Sequence, residues 1–122
     1  MHNSALFNRS KEMGLAIIGL YKLLTSRERE WILSKQLLRS GTNPGAMVHE
    51  AFFAESGKDF THKLKIALKE AHETQYWLIL LYESDYIRKE EYLYNVDLVI
   101  QVKKLLVTSI RTRERNLNKE RK

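Results

Sequence analysis

The 122-residue chain contains no cysteine, and this absence excludes several kinds of chemistry at once. Disulfides, thiolate metal ligands and cysteine nucleophiles all require the residue, and a chain without it suits a reducing compartment. No N-terminal apolar segment with a cleavage site is present, and no apolar run approaches the roughly 18 residues of a membrane span. The sequence therefore predicts a cytoplasmic protein that does not enter a membrane.

Proline and glycine are also scarce, with one and five residues, so few positions interrupt regular structure. β-Branched residues do not alternate with polar ones over any length, which argues against strands. Apolar residues make up 43% of the chain and charged residues 30%, the composition of an ordinary globular domain. A chain of this length can bury one core. We therefore predict a single all-α domain over residues 1–122.

Apolar residues recur at intervals of three and four in four segments, which predicts four helices. The segments cover about 8–24, 27–55, 56–83 and 89–115. Thr25 and Glu28 have the spacing of a capping box for the second helix, and Ser56 with Asp59 begins the third. Because the connections are short, we predict an antiparallel up-down four-helix bundle.

Residues 40–46 read Ser-Gly-Thr-Asn-Pro-Gly-Ala, a composition that is typical of a loop. The apolar positions nevertheless keep helical phase from Leu37 through Pro44 to Val48. We therefore predict one long second helix that is kinked at Pro44, since proline removes a backbone hydrogen bond. The small side chains would also let a neighbouring helix approach closely.

The net charge of +6 is concentrated at the C-terminus. Residues 1–102 contain 13 Lys and Arg and 13 Asp and Glu, whereas residues 103–122 contain eight cations and two acids. Such an arm can attract the phosphates of RNA or DNA, and we predict its cations as a nucleic-acid-binding site. The alternative is a solvated helix end, frayed over 111–122, whose cations complement the helix dipole. The eight cations are Lys103, Lys104, Arg111, Arg113, Arg115, Lys119, Arg121 and Lys122.

The third and fourth helices are apolar over more of their circumference than one core needs. A surface helix usually buries a single stripe of about 100°. The surplus predicts a homo-oligomer, and the alternative is a wide core within one chain. The additional apolar positions are Ile66, Trp77, Leu80, Leu81, Leu98 and Leu105.

No constellation of catalytic, cofactor-binding or metal-binding residues is found. The Glu-x-x-His pairs of di-metal bundles are missing, and no phosphate-binding loop of the Gly-x-x-x-x-Gly-Lys type occurs. Glu70 and Glu73 share a helical face near His72, but interhelical ion pairs explain them better than acid–base catalysis does. We therefore predict a protein that is not an enzyme and carries no metal or cofactor.

Aromatic residues cluster around the predicted turn between the third and fourth helices. Exposed rings beside cations can stack on bases. Such residues more often close the end of a bundle, with the ring inward and the hydroxyl outward, and we favour this interpretation. The cluster consists of Tyr76, Trp77, Tyr82, Tyr86, Tyr92 and Tyr94.

Several segments resemble one family. Residues 37–51, which read LLRSGTNPGAMVHEA, are similar to a stretch of the four-helix-bundle proteins encoded by intervening sequences in bacterial 23S ribosomal RNA genes and by other bacterial loci. Parts of residues 59–78 and 86–111 resemble the family's third and fourth helices. The resemblance covers roughly residues 10–115. The chain departs from the family at Met47, where Asn is usual, at His49, where a small or basic residue is common, and at Arg88, where a Ser or Thr cap is expected.

The resemblance implies a homopentameric barrel of such bundles. A related branch, the accessory proteins of diversity-generating retroelements, is basic and binds nucleic acid and a reverse transcriptase. Two classes of function follow, an oligomer that binds RNA or DNA through its basic arms, or a scaffold that binds only protein, itself included. Five arms on one rim would carry about 30 excess positive charges and bind phosphates avidly.

Overall fold

The computed structural model describes residues 4–120, which form four helices with no strand among them. Helix α1 spans Ser4–Ser26, α2 spans Leu33–Ala51, α3 spans Gly57–Glu83 and α4 spans Lys89–Glu120. Helices α1 and α3 each lie against both α2 and α4. The prediction of an all-α chain with four helices is confirmed.

The core contains the predicted helical stripes, together with much of the apolar surface that we predicted to be surplus. Leu81 and Leu98 are buried, and Trp77 and Leu105 pack against the core from its edge. At these positions the core takes up the apolar surface, as the wide-core alternative predicts, because each helix of the bundle contacts two neighbours and needs a wide apolar face. The homo-oligomer stays a prediction. The buried stripes include Met13, Ile17, Leu20 and Leu24 of α1, and Val99, Val102, Leu106 and Ile110 of α4.

Helix α2 begins six residues later than predicted, and the capping box at Thr25 and Glu28 is wrong. Thr25 lies in the last turn of α1, where its hydroxyl donates to the carbonyl oxygen of Tyr21 at 3.0 Å. Glu30 caps α2 instead. Although burial raises the pKa of the Glu30 carboxyl, hydrogen bonds from backbone N–H groups hold it below its usual value. These donors are Ile32, Leu33 and Ser34, at 2.7–3.1 Å.

Helix α2 continues without interruption through Pro44, so the continuous helix is confirmed and the loop alternative is wrong. A Cβ atom added at Gly41 would lie 2.7 Å from Cγ1 and Cγ2 of Ile17 in α1, and one at Gly45 would lie 3.3 Å from the carbonyl oxygen of Ser10. The small residues of this segment therefore allow α1 to pack closely on α2. The bend at Pro44 stays a prediction.

The Ser56 cap is confirmed, since its hydroxyl oxygen accepts a hydrogen bond from the N–H of Asp59 at 3.0 Å. At the other end of α3, Tyr82 and Tyr92 stack with their ring centroids 4.4 Å apart and are half-buried. This pair closes the bundle as predicted. Tyr76 and Tyr94 are exposed and do not take part in this closure.

Helix α4 extends at least five residues beyond the predicted boundary, so the described part of the basic arm is helical as far as Glu120. Its first turn is capped by Glu91, which accepts a hydrogen bond from the N–H of Arg88 at 2.8 Å. Both oxygens of the same carboxylate accept from the guanidinium of Arg27 at 2.8 Å. Glu91 therefore ties the end of α1 to the start of α4, and Arg88 does not need to be a Ser or Thr.

The Arg27–Glu91 pair predicts an acid-labile contribution to stability. Its hydrogen bonds to Arg27 hold the pKa of Glu91 at about 2 in the fold, below the usual 4.5. The pair therefore stabilises the fold above about pH 4.5, and the contribution disappears as the pH falls to about 2. We expect Glu91→Gln to lower the free energy of unfolding by about 2–3 kcal/mol at neutral pH.

Urea unfolding at a series of pH values measures this effect, and the two curves should converge near pH 2. The control is Glu12→Gln, which breaks an exposed pair with Arg9 and should change the stability by less than about 1 kcal/mol. A constant difference between wild type and Glu91→Gln across this pH range would show that the ionised carboxylate is not the cause.

Candidate nucleic-acid interface

Four of the predicted cations lie on one outward face of α4. Lys104, Arg111, Arg115 and Lys119 are exposed and follow each other at intervals of seven, four and four residues. Such intervals return to the same side of a helix, and the four residues span about 22 Å at 1.5 Å per residue. We call these four residues the basic face.

The remaining described cations lie apart from the basic face. The Nζ of Lys103 donates to Oε1 of Gln75 on α3 at 2.7 Å. Arg113 lies about 200° around the axis of α4 from Arg111, on the other side of the helix. Its guanidinium packs over the ring of Phe60 at 4.9 Å, so it contributes to packing between α3 and α4. The predicted site residues Arg121 and Lys122 lie outside the described residues.

A groove between α3 and α4 adjoins the basic face. Most of the surface area of its lining is apolar, and Leu68, Ile100 and Val107 contribute to it. No carboxylate is among its lining residues, so its positive charge is not compensated locally. The polar lining residues are His72, Lys103, Lys104, Thr108 and Arg111.

His72 is not among the residues that the sequence predicts for the basic site. Burial, and then the neighbouring Lys103 ammonium, lower the pKa of His72 below its usual value. Its place beside Lys103 depends on the register of α3 against α4, which hydrophobic periodicity does not reveal. The hydrogen bond between Gln75 and Lys103 is one of the contacts between α3 and α4 that fix this register in the fold.

Within residues 4–120, the cations of the basic face form no salt bridge. Several cations elsewhere are paired, for example Lys65 with Glu114 at 3.1 Å. Unpaired, solvated cations keep their full charge available for an external anion. The basic face is therefore a row of exposed cations whose charge is open to an external anion.

The segment that carries the family resemblance has a structural role. Arg39 pairs with Glu70 at 3.2 Å and with Glu73 at 3.1 Å, so the interpretation of these acids as interhelical ion pairs is confirmed. The hydroxyl of Thr74 donates to the buried Ser40 hydroxyl at 3.1 Å. These contacts join α2 to α3, and the segment does not contribute to the basic face.

No group of three or more His, Asp or Glu side chains among the described residues could hold a metal ion. None of the helices in residues 4–120 combines the length and the apolar character needed to cross a membrane.

The fold and this surface define a helical-bundle protein with a basic outer face. The family model of the 23S rRNA-intervening sequence protein matches residues 2–108, and the chain belongs to that family. The chain is also similar to a solved structure from Bacteroides thetaiotaomicron, described as a protein with unknown function from the S23 ribosomal protein family. The two share 43% identity with a TM-score of 0.88, over 91% of this chain and 99% of the other. No curated protein matches.

Proposed function

We propose that this protein is a non-enzymatic, cytoplasmic bundle that binds RNA or DNA through the basic face of α4. The observation that carries the proposal is the row of unpaired cations at Lys104, Arg111, Arg115 and Lys119. Three of these lie beyond residue 108, where the match to the family model ends. The proposed activity therefore depends on a part of the chain that the family model does not cover.

A row of exposed cations on one helix binds by charge and not by sequence. Lys and Arg contact phosphate oxygens and release condensed counterions, and this contribution is the same for every sequence. Reading base edges needs side chains that enter a groove with defined hydrogen-bonding geometry. We therefore expect binding with little sequence preference.

A salt titration of the intact protein with a labelled oligonucleotide tests this proposal. If three or four phosphates of a DNA duplex are engaged, affinity should fall by roughly 40-fold to 150-fold between about 50 and 200 mM salt. Oligonucleotides of unrelated sequence should give the same curve. If no binding is seen at about 50 mM salt, the basic face has no such role and the protein-only scaffold is favoured.

Self-association is the second proposed property, and exposed apolar side chains favour it. Leu15, Ile18 and Leu23 of α1 and Leu93 and Tyr94 of α4 are exposed to solvent. Clusters of this kind mark interaction surfaces more often than isolated apolar residues do. We propose the homopentamer that the family resemblance implies. Light scattering at micromolar concentration should then report about five times the chain mass of 14.4 kDa.

The proposed pentamer is built from antiparallel up-down bundles. Contacts between consecutive helices support this arrangement. Residues near the end of one helix contact residues near the start of the next helix, and residues near its start contact residues near the end of the next. A scaffold made only of these bundles would need no charged arm, so the salt titration separates the two candidate functions. The supporting pairs are Arg39–Glu73 and Glu50–Lys63 between α2 and α3, and Lys65–Glu114 and Gln75–Lys103 between α3 and α4.

A further inference from the structure

A second groove, between α1 and α4, has a largely apolar lining. Leu23 is 39% exposed and Tyr94 is 63% exposed. Asn95 is only 5% exposed, and its Oδ1 has no hydrogen-bond partner among the described residues. We call this the α1/α4 groove. Its lining residues are Ala16, Gly19, Leu20, Leu23, Glu90, Glu91, Tyr94 and Asn95.

No close contact within the chain requires a glycine at position 19 of this groove. It lies in the interior of α1, where glycine destabilises a helix relative to alanine. A Cβ atom added at Gly19 would meet nothing within 4 Å, whereas one at Gly41 would collide with Ile17. Gly41 is thus explained by packing inside the bundle. Gly19 instead leaves room in an apolar surface for a helix from outside.

The charge near the α1/α4 groove is negative. The groove lies towards the end of the bundle where Arg27 pairs with Glu91. The groove lining contains two carboxylates, Glu90 and Glu91, and no Lys or Arg; Glu91 is paired with Arg27, so Glu90 is the charge left for a partner. A partner that fits this groove should therefore be a helix with exposed apolar side chains and positive charge.

The chain itself carries such a helix surface. On α4, Ile100 and Lys104 are exposed one turn apart and are followed on the same side by Arg111. This surface lies on the α3 side of α4, whereas the α1/α4 groove lies on its α1 side. One copy can therefore present the α4 surface to one neighbour and receive another neighbour in its groove.

We propose that the α1/α4 groove around Gly19 binds the α4 surface around Ile100 and Lys104 of a second copy. This inference rests on the self-association part of the proposed function. Ridge-into-groove packing joins the two apolar surfaces, and Lys104 meets the acidic end of the neighbour. Because the two surfaces differ, the contact is heterologous, and repeating it builds a ring or a chain of copies.

Gly19→Gln fills the groove with a polar side chain at a position where the free chain has open space. Circular dichroism should show an intact fold, while light scattering at micromolar concentration should show dissociation to a chain of 14.4 kDa. The matched control is Ala46→Gln, at an exposed position of α2, and it should assemble like wild type. Tyr94→Gln, at another exposed position of the groove, should also dissociate the assembly. Assembly of both groove variants at wild-type affinity would overturn the proposal.

The heterologous contact is tested by mixing two variants. Ile100→Lys removes the apolar side chain of the α4 surface but leaves the groove intact, so it should also be monomeric. In the mixture, the intact groove of Ile100→Lys can bind the intact α4 surface of Gly19→Gln. The mixture should form a heterodimer of twice the chain mass that grows no further. A mixture that remains monomeric overturns the heterologous pairing.

The same measurements separate this inference from the proposed function. Wild type that is monomeric throughout the micromolar range overturns the inference together with self-association. Nucleic-acid binding is read from the salt titration of the same sample, because Lys104 is the one residue of the basic face that we place in the contact, and Arg111, Arg115 and Lys119 lie beyond it. If wild type assembles and Gly19→Gln assembles equally well, self-association stands and only the assignment of the groove is wrong.

Discussion

Replacing Arg111, Arg115 and Lys119 by glutamate should lower the affinity for an oligonucleotide by roughly 100-fold or more at about 50 mM salt. Each replacement removes one phosphate contact and its counterion release, and it adds a negative charge that repels the backbone. All three side chains are exposed, so the fold should be preserved. The salt dependence that remains should be shallower, with a slope reduced by up to about three.

The matched control is the triple variant Lys11→Glu, Lys22→Glu and Lys35→Glu. It changes the net charge by the same amount, but on exposed positions of α1 and α2. If binding follows only total charge, both variants lose the same affinity and the basic face is not the site. Filter binding or fluorescence anisotropy at matched ionic strength distinguishes these outcomes.

Charge reversal is a better test than deletion of residues 111–122, because the described part of this segment packs on the bundle. Arg113 covers the ring of Phe60, and a Cβ atom at Gly57 would lie 2.8 Å from Leu117. Both Arg113 and Leu117 therefore hold this segment to the bundle. Truncation would combine a loss of charge with a loss of packing between α3 and α4.

Gly41→Val should lower the free energy of unfolding by about 3 kcal/mol or more, and Gly41→Ala by about 1–2 kcal/mol. Even the first added carbon would lie 2.7 Å from Cγ1 and Cγ2 of Ile17. Ile17 is fully buried and β-branched, so it has little freedom to move away. The better helix propensity of alanine, worth about 1 kcal/mol, offsets only part of this overpacking.

Gly19→Ala is the control for this experiment. It makes the same substitution in α1, where the added Cβ meets nothing within 4 Å, and should stabilise the monomer by up to about 1 kcal/mol. The double variant Gly41→Ala with Ile17→Ala should lower the free energy of unfolding by less than the sum of the two single variants. The smaller side chain at position 17 makes room for the Cβ atom at position 41, and that Cβ fills part of the cavity. Equal effects of alanine at Gly41 and Gly19 in urea unfolding would show that α1 does not pack closely on Gly41.

Helix number and the buried stripes were predictable from the sequence because they depend on local periodicity. Met13, Ile17, Leu20 and Leu24 repeat at helical intervals, and such a repeat has one buried side whatever it packs against. The same periodicity predicted that α2 continues through Pro44, because the apolar positions keep helical phase across the loop-like composition. Periodicity extends over many residues, so one unusual residue does not hide it.

The first turn was not predictable, because its residues do not have the usual turn chemistry. Arg29 has a φ of 54°, a conformation that glycine or asparagine normally supplies. The cap of α2 comes from Glu30, two residues before the usual N-cap position, so the Thr25–Glu28 pattern was misleading. Asp85, just after the end of α3, also has a positive φ, of 66°. That turn was predictable, because a Ser-Asp pair is a recognisable turn signal.

The sequence alone determined that the positive charge lies in the last twenty residues, and that four amphipathic helices share one core. Composition and periodicity are local properties, so neither required a structure. Only the tertiary structure decided which charges are available and which apolar side chains remain exposed. Arg113 and Arg111 look alike in the sequence and both are exposed, yet Arg113 packs over the ring of Phe60 and Arg111 borders the groove between α3 and α4. Gly41 and Gly19 likewise look alike in the sequence, yet a Cβ at Gly41 would collide with Ile17 and one at Gly19 would meet nothing within 4 Å. Exposure and close contact arise between elements and not within them.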